Sequence, residues 1–438
     1  MRLKFTFLSI FFIINILNVI ATTEVRSCWD HNDPLNPKER IKVPCYSTTS
    51  EQSNDFEKRD DANMFSVTLS CLVDDKTLCD KVQTAFNEAG RIITETILLN
   101  TQVTVNASFV DFCTEYQTCP TNGVIILGGA SPAKTIEITD DDGVDRLFPQ
   151  SLVKQMNISN SPTYSAFDIF ALFNSGADYW FDGDGTISSS QSDFLFVILH
   201  ELIHGLGFTT GYDDYINDVP EALTPLVSVN QVSLLSDAFL FNGFVEYIFD
   251  KFMVVLPSGK RVTDISKQLN NFTGGVFNST NEFVSEFKAS PQYPLAEQMF
   301  TYATTSNSLG LLPVGSNDIS KAIILETSLV KYVSGSSVSH VDYQTYSNTS
   351  DFLMRYLQNH GIRLSQFIKS GGDYSGGPIG PKLRLFLSWI GYTIRNETVD
   401  ILYEPTTDNN NGESNAHHNY PPTIIILLLI TASFFLWM

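Results

Sequence analysis

No cysteine follows residue 119 in this 438-residue chain, and none of its six cysteines are paired as C-x2-C. A cysteine-rich zinc site is therefore excluded. Basic residues are scarce as well: 27 Lys and Arg stand against 48 Asp and Glu, for a formal charge of −21. Binding a phosphate backbone needs clustered positive charge, so nucleic acid is excluded as a partner. There are only 7 histidines, which leaves few ways to build an imidazole metal site. No internal repeat is present, which excludes solenoid and propeller architectures.

What the chain does have is 43% hydrophobic residues with only 17% charged, ample for a core. Its mean hydropathy near zero hides two strongly apolar ends. Arg2 and Lys4 precede an uncharged run from Phe5 to Ala21 that closes on Val19-Ile20-Ala21. This is the pattern of a secretory signal peptide over residues 1–21. At the other end, small residues (Asn411, Gly412, Ser414, Asn415), a polar spacer and the apolar tail Ile424–Met438 form the pattern of a GPI-attachment signal over 415–438. Ser414 is the expected attachment residue, which implies anchorage in the outer leaflet of the plasma membrane; a tail anchor is the alternative.

Six cysteines in a secreted chain imply up to three disulfides, with the pairing left open. Sequons at Asn106, Asn157, Asn271, Asn278, Asn348 and Asn396 agree with the secretory route. Residues 22–63 are polar and aperiodic, and Lys58-Arg59 suits either removal of a pro-segment or a solvated linker.

Regular patterning begins at Phe65, where Phe65, Val67 and Leu69 alternate as in a half-buried strand. Apolar residues from Leu78 to Ile97 recur every three or four positions, which predicts an amphipathic helix over 75–98. Val103 to Phe109 alternates again and puts Asn106 on the outer face; 124–127 and 167–173 are further strand candidates. From Ser192, the expected N-cap, to Gly205 runs a helix apolar around its whole circumference, hence buried. A last helix is expected over 381–390, with Pro381 at its start and Gly391 beyond its end. The expected organisation is 64–208 with the central helix, an insertion over 209–335, a mainly helical 336–400 and a linker over 401–414.

Inside the buried helix stands His200-Glu201-Leu202-Ile203-His204. Two histidines four apart share one helical face and can bind a single Zn(2+), while the Glu between them serves as general base towards a water at the metal. Roughly 0.005 such matches are expected by chance in this composition. A third ligand is still required. The candidates are His340, His360, Glu221, Glu246, Asp213 and Asp214. Asp182-Gly183-Asp184-Gly185 offers hard oxygen donors of the kind Ca(2+) takes, but lacks the rest of an EF-hand loop, so a plain turn is the competing reading.

The run His200 to Phe208, followed at a distance by Ser339-His340 and then Leu353-Met354, resembles leishmanolysin-type metzincins. It is also similar to a group of secreted proteins with an HE-x-x-H-GLGF core preceded by Phe-Asn-Ser (173–175) and Trp-Phe-Asp-Gly (180–183). The chain departs from the usual metzincin pattern at Thr210, where a third His commonly stands. The resemblance implies an α+β, zincin-like fold: a mixed twisted sheet with a backing helix and an active-site helix. It also implies His340 as third zinc ligand, Met354 as the floor beneath the metal and Tyr356 as a candidate oxyanion donor. The expected activity is a cell-surface zinc endopeptidase acting on peptide or protein substrates through Glu201. The alternative is a surface binding or adhesion protein that keeps the fold without hydrolysis.

Overall fold

The computed structural model describes residues 25–36, 38–46, 62–120, 124–156, 158, 161–232 and 236–395. The signal peptide, Lys58-Arg59, Asn157, Asn396, Ser414 and the anchor signal lie outside the described residues. Part of the segment read as irregular is ordered into strands β1 (Val25–Asp30) and β2 (Ile41–Val43), which pair antiparallel and are joined by a Cys28–Cys45 disulfide. Trp29 and His31 are buried there. The other disulfides, Cys71–Cys79 and Cys113–Cys119, are equally local.

Strand β3 (Phe65–Cys71) leads into helix α1 (Lys76–Thr96), whose first turn is capped by the Asp75 carboxylate. The alternating residues of 103–109 form β4 (Val103–Val110), with Val103, Val105 and Ala107 buried and Asn106 half-buried on the opposite face. The apolar run 124–127 is not a strand: β5 is the following Gly128–Pro132. Those residues lie alongside a later strand, and their small side chains let the central helix pack close.

Next come β6 (Lys134–Thr139), β7 (Asp145–Pro149) and β8 (Ile169–Asn174). Helix α2 (Phe194–Gly205) carries the histidine motif. Its cap is Asp193, not Ser192: the Asp193 carboxylate accepts from Phe196 N, while Ser192 pairs with Tyr179 in a short parallel bridge. A four-stranded sheet runs β3-β4-β8-β5, the first three parallel and β5 antiparallel at the edge. Helix α1 covers β3, and α2 packs beside α1 against β8 and β5.

Residues 209–335 share structure with the N-terminal part of the chain. Strands β9 (Leu226–Gln231) and β10 (Phe239–Tyr247) extend a second sheet, in which β10 pairs parallel with β7, then β6, β1 and β2 follow. Helices α3 (Thr263–Leu269), α4 (Thr280–Lys288) and α5 (Tyr293–Ala303) follow. The C-terminal part contains α6 (Leu364–Ser370) and α7 (Pro381–Ile390), the latter within its expected bounds. One hydrophobic cluster runs from Cys28 to Tyr392. The architecture is α+β, and no helix among the described residues is long and apolar enough to cross a membrane.

Candidate metal centre

Helix α2 is buried along its whole length, as its apolar circumference requires. Its last residue approaches the sheet so closely that a Cβ on Gly205 would lie 2.5 Å from Ile169. His200 and His204 therefore point from a fixed frame.

The structure brings His340 to them. The three Nε2 atoms form a nearly equilateral triangle, with edges of 3.1 Å (His200 to His340), 3.1 Å (His204 to His200) and 3.2 Å (His204 to His340). Ligands at about 2.0–2.1 Å from a tetrahedral ion are separated by roughly 3.3–3.4 Å, so the triangle suits one face of such a site.

The opposite ring nitrogens define the protonation state. His200 Nδ1 lies 2.7 Å from Leu353 O, His204 Nδ1 2.7 Å from Phe208 O, and His340 Nδ1 3.0 Å from Ser336 O. A carbonyl accepts only, so each Nδ1 carries the proton and donates, leaving three Nε2 lone pairs facing one another. A proton is a poor occupant of that space. Burial holds His200 and His340 well below the ordinary imidazole value and brings His204 down to about 4. The donor set fits a divalent cation with a preference for imidazole.

Glu201 is 3% exposed, and burial pushes its carboxyl up to about 8 against an opposing hydrogen bond from the Ala130 backbone on β5. A cation held by the neighbouring histidines would draw it back towards the ionised form.

The turn after the helix is shaped by Gly207, whose φ of +116° is a left-handed conformation that suits glycine. It lets the chain reverse so that Phe208 O meets His204. On the far side, Leu353 holds His200, and Met354 O accepts from Val341 N, next to the third histidine. Met354 is thus buried directly beside the chain segments that carry the ligands. Tyr356 is half-buried, edge-on to Tyr343, its hydroxyl raised to about 12 mainly by burial.

None of the alternative third ligands joins the triangle. Glu221 accepts from Tyr293 Oη and pairs with Lys288. Glu246 is bound to Arg146, Thr263 and Ser266. Asp213 meets Lys38 and Ser334, and Asp214 accepts from four backbone amides between 216 and 222. His360 lies beside Ser190 and Gln191. In the Asp182–Gly185 turn, Asp184 accepts from Phe181 N and pairs with Lys81, and no third acid joins the two aspartates among the described residues.

Sequence reasoning missed Asp193, which ties the start of α2 to the start of α6 by accepting from Leu364 N at 2.7 Å. An Asp immediately before the first helical residue, Phe194, was a readable cap signal. It also missed the triplet Asp140–Asp142, whose carboxylates are partnered by Arg146 and Lys251. Asn271, Asn278 and Asn348 are exposed, open to a glycan.

Fold and centre together define an α+β protein with a buried three-histidine cluster, two of its members on an HExxH helix and the third, His340, brought to them from a distant loop. The chain belongs to the SPBPB7E8-like family, whose profile matches residues 24–425. It is 29% identical over 398 residues to the uncharacterized protein PB7E8.01 of Schizosaccharomyces pombe, an alignment that covers 83% of this chain and 68% of the relative. No solved structure matches the chain.

Proposed function

We propose that the protein is a zinc-dependent endopeptidase with a zincin-like catalytic fold, displayed outside the cell on a GPI anchor at Ser414. The observation that carries this reading is the convergence of three unprotonated Nε2 atoms, with no partner but one another among the described residues, two of them on the helix that also carries Glu201. Among the described residues only three side chains converge there. Three protein ligands leave a coordination position open, which is the arrangement of catalytic rather than structural zinc.

When bound, zinc supplies Lewis acidity to the scissile carbonyl and makes water more acidic. The residues of the chain do the rest. His200, His204 and His340 hold the ion, each ring fixed by the carbonyl behind it. Glu201 takes a proton from water and delivers it to the leaving amine. Met354 forms the apolar floor, and Tyr356 is a donor for the developing oxyanion.

The decisive assay is cleavage of casein or a peptide library by the purified protein, with phenanthroline and a hydroxamate as inhibitors. Inhibitor-sensitive cleavage is expected. Zinc-loaded protein that cleaves nothing would favour the surface-binding reading. Release from cells by phosphatidylinositol-specific phospholipase tests the anchor, and protein that stays on the membrane after treatment would refute it.

A further inference from the structure

We infer that residues 25–46 are a positioning element of the metal centre, acting on His340 through Lys38, Asp213 and Ser334. This inference rests on the reading of the three histidines as a metal site.

The Lys38 ammonium reaches the turn that follows the histidine motif, donating to Asp214 O at 2.7 Å and lying 3.5 Å from the Asp213 carboxylate. Asp213 is 5% exposed. A carboxylate at that depth requires compensation, and Lys38 is its cationic neighbour. The other Asp213 oxygen accepts from the Ser334 hydroxyl. Ser334 opens the tight loop in which Ser336 N and Ser337 N donate to Val333 O, while the Ser337 hydroxyl accepts from Val333 N. The carbonyl of Ser336 in this loop is the one that fixes the His340 ring. Val338, two residues before the ligand, is held at φ +66°, a conformation a β-branched residue adopts only when its surroundings impose it. The loop is therefore not at rest on local preference alone; it is held by contacts, and Asp213 is one of them.

The N-terminal segment is itself firmly seated. Strand β1 pairs with β6, Arg40 donates to Tyr247 Oη at 2.9 Å, and His31 lies 3.0 Å from Thr135 Oγ1. Its disulfide closes within the segment, and neither of the others connects it to the rest of the chain. A cut at Lys58-Arg59 would leave it attached by strand pairing and by these side-chain contacts. Its place is that of a retained part of the site rather than of a removable leader.

The test is titration of the metal-stripped full-length protein with Co(2+), read by its visible absorption, for wild type, Lys38→Ala, Lys38→Arg and Ser334→Ala. Groups behind metal ligands typically change affinity by about 10- to 100-fold, and the lower end, about 10-fold, is expected for Lys38→Ala and for Ser334→Ala. Lys38→Arg should restore wild-type affinity, which loss of packing alone would not allow. The double variant should be little worse than the weaker single one, because both cut the same chain of contacts. Melting of the metal-free proteins identifies a variant that has simply unfolded, in which case the other single variant decides. If wild type binds Co(2+) tightly and both single variants match it, this inference is overturned while the metal site stands. If wild type binds no metal, the metal site falls and this inference with it.

Discussion

Two buried polar clusters sit in this chain, and they are built on opposite principles. Around Arg146, which is fully buried, charges of opposite sign meet: Glu246 at 2.9 Å, Asp140 at 2.9 Å and Asp142 at 2.7 Å, with Thr263 and Ser266 donating to Glu246. Each charge finds its complement within the chain. Around His200, three identical acceptors converge, and no donor lies between them among the described residues. The first cluster is complete as a structure, and it joins β7 to β10. The second has no such internal partner among the described residues, and on the proposed reading an ion supplies it. Burial cost is the same problem in both, so what separates a structural cluster from a site is whether the partner is internal.

The comparison breaks most sharply at Glu201. Glu201→Gln should lower the cleavage rate by about 10²–10⁴-fold, the range of general acid–base catalysis, with zinc content and melting temperature unchanged. His340→Ala should lose both zinc and cleavage. Unchanged activity in Glu201→Gln, measured on the substrates found with the peptide library, would refute the assigned mechanism. At the other cluster, Arg146→Met strands Glu246 in a buried position and should cost about 3–5 kcal/mol of stability. That loss should be the same with and without zinc, whereas the loss in His340→Ala should be confined to zinc-loaded conditions. Calorimetry of both variants under both conditions checks it.

Acidity separates the two regions by sign. His204 is held at about 4 in the folded chain, below the usual imidazole value, so between pH 6.5 and 4 the unfolded chain takes up a proton that the folded one refuses. Metal-stripped protein should lose stability as pH falls through that window, by up to about 3 kcal/mol from this residue alone. Near the Arg146 cluster, burial and the charge of Glu246 push Asp250 up to about 7. The folded chain then keeps a proton that the unfolded chain releases, and stability from this group is lost as pH rises from about 4 to 7. Asp250→Asn should flatten the neutral side of the stability profile and leave the acid side alone. A profile in which the variant changes the acid side instead would contradict the assignment.

How much of this was legible in the sequence follows from distance along the chain. The α2 motif was readable because helical spacing is local: four residues suffice to place His200 and His204 on one face. His340 came within reach because histidines are few and the Ser-His and Leu-Met pairs resemble a known pattern, although its geometry depends on Ser336 and Val338, neither of which marks itself. The strands 25–30 and 41–43 were illegible for the opposite reason. Trp29 and His31 are buried by β6, about a hundred residues later, and nothing near them alternates. Glu246 looked like a spare ligand because its partner, Arg146, is equally remote. Asp193 was a plain misreading, since an Asp stood next to the Ser chosen as cap and the short bridge at Ser192 has no sequence signature.

The smallest expected effect sharpens the comparison most finely, because it perturbs the open cluster without touching a ligand. Gly207 occupies a left-handed conformation, and a Cβ there would lie 2.9 Å from Pro149 Cγ. Gly207→Ala should cost about 1–2 kcal/mol of stability through strain. The strain falls on the peptide leading to Phe208, whose carbonyl orients the His204 ring, so zinc affinity should fall as well, by up to about tenfold. At the Arg146 cluster the same substitution should have a smaller effect: Pro149 ends the strand that carries Arg146, but the partners there are side chains fixed from several elements. The check is zinc affinity by competition with a chromophoric chelator, alongside thermal melting of the metal-free protein. A variant that loses stability yet binds zinc as tightly as wild type would mean that the Phe208 carbonyl is dispensable, and that the open cluster is set by its three side chains without help from the backbone behind them.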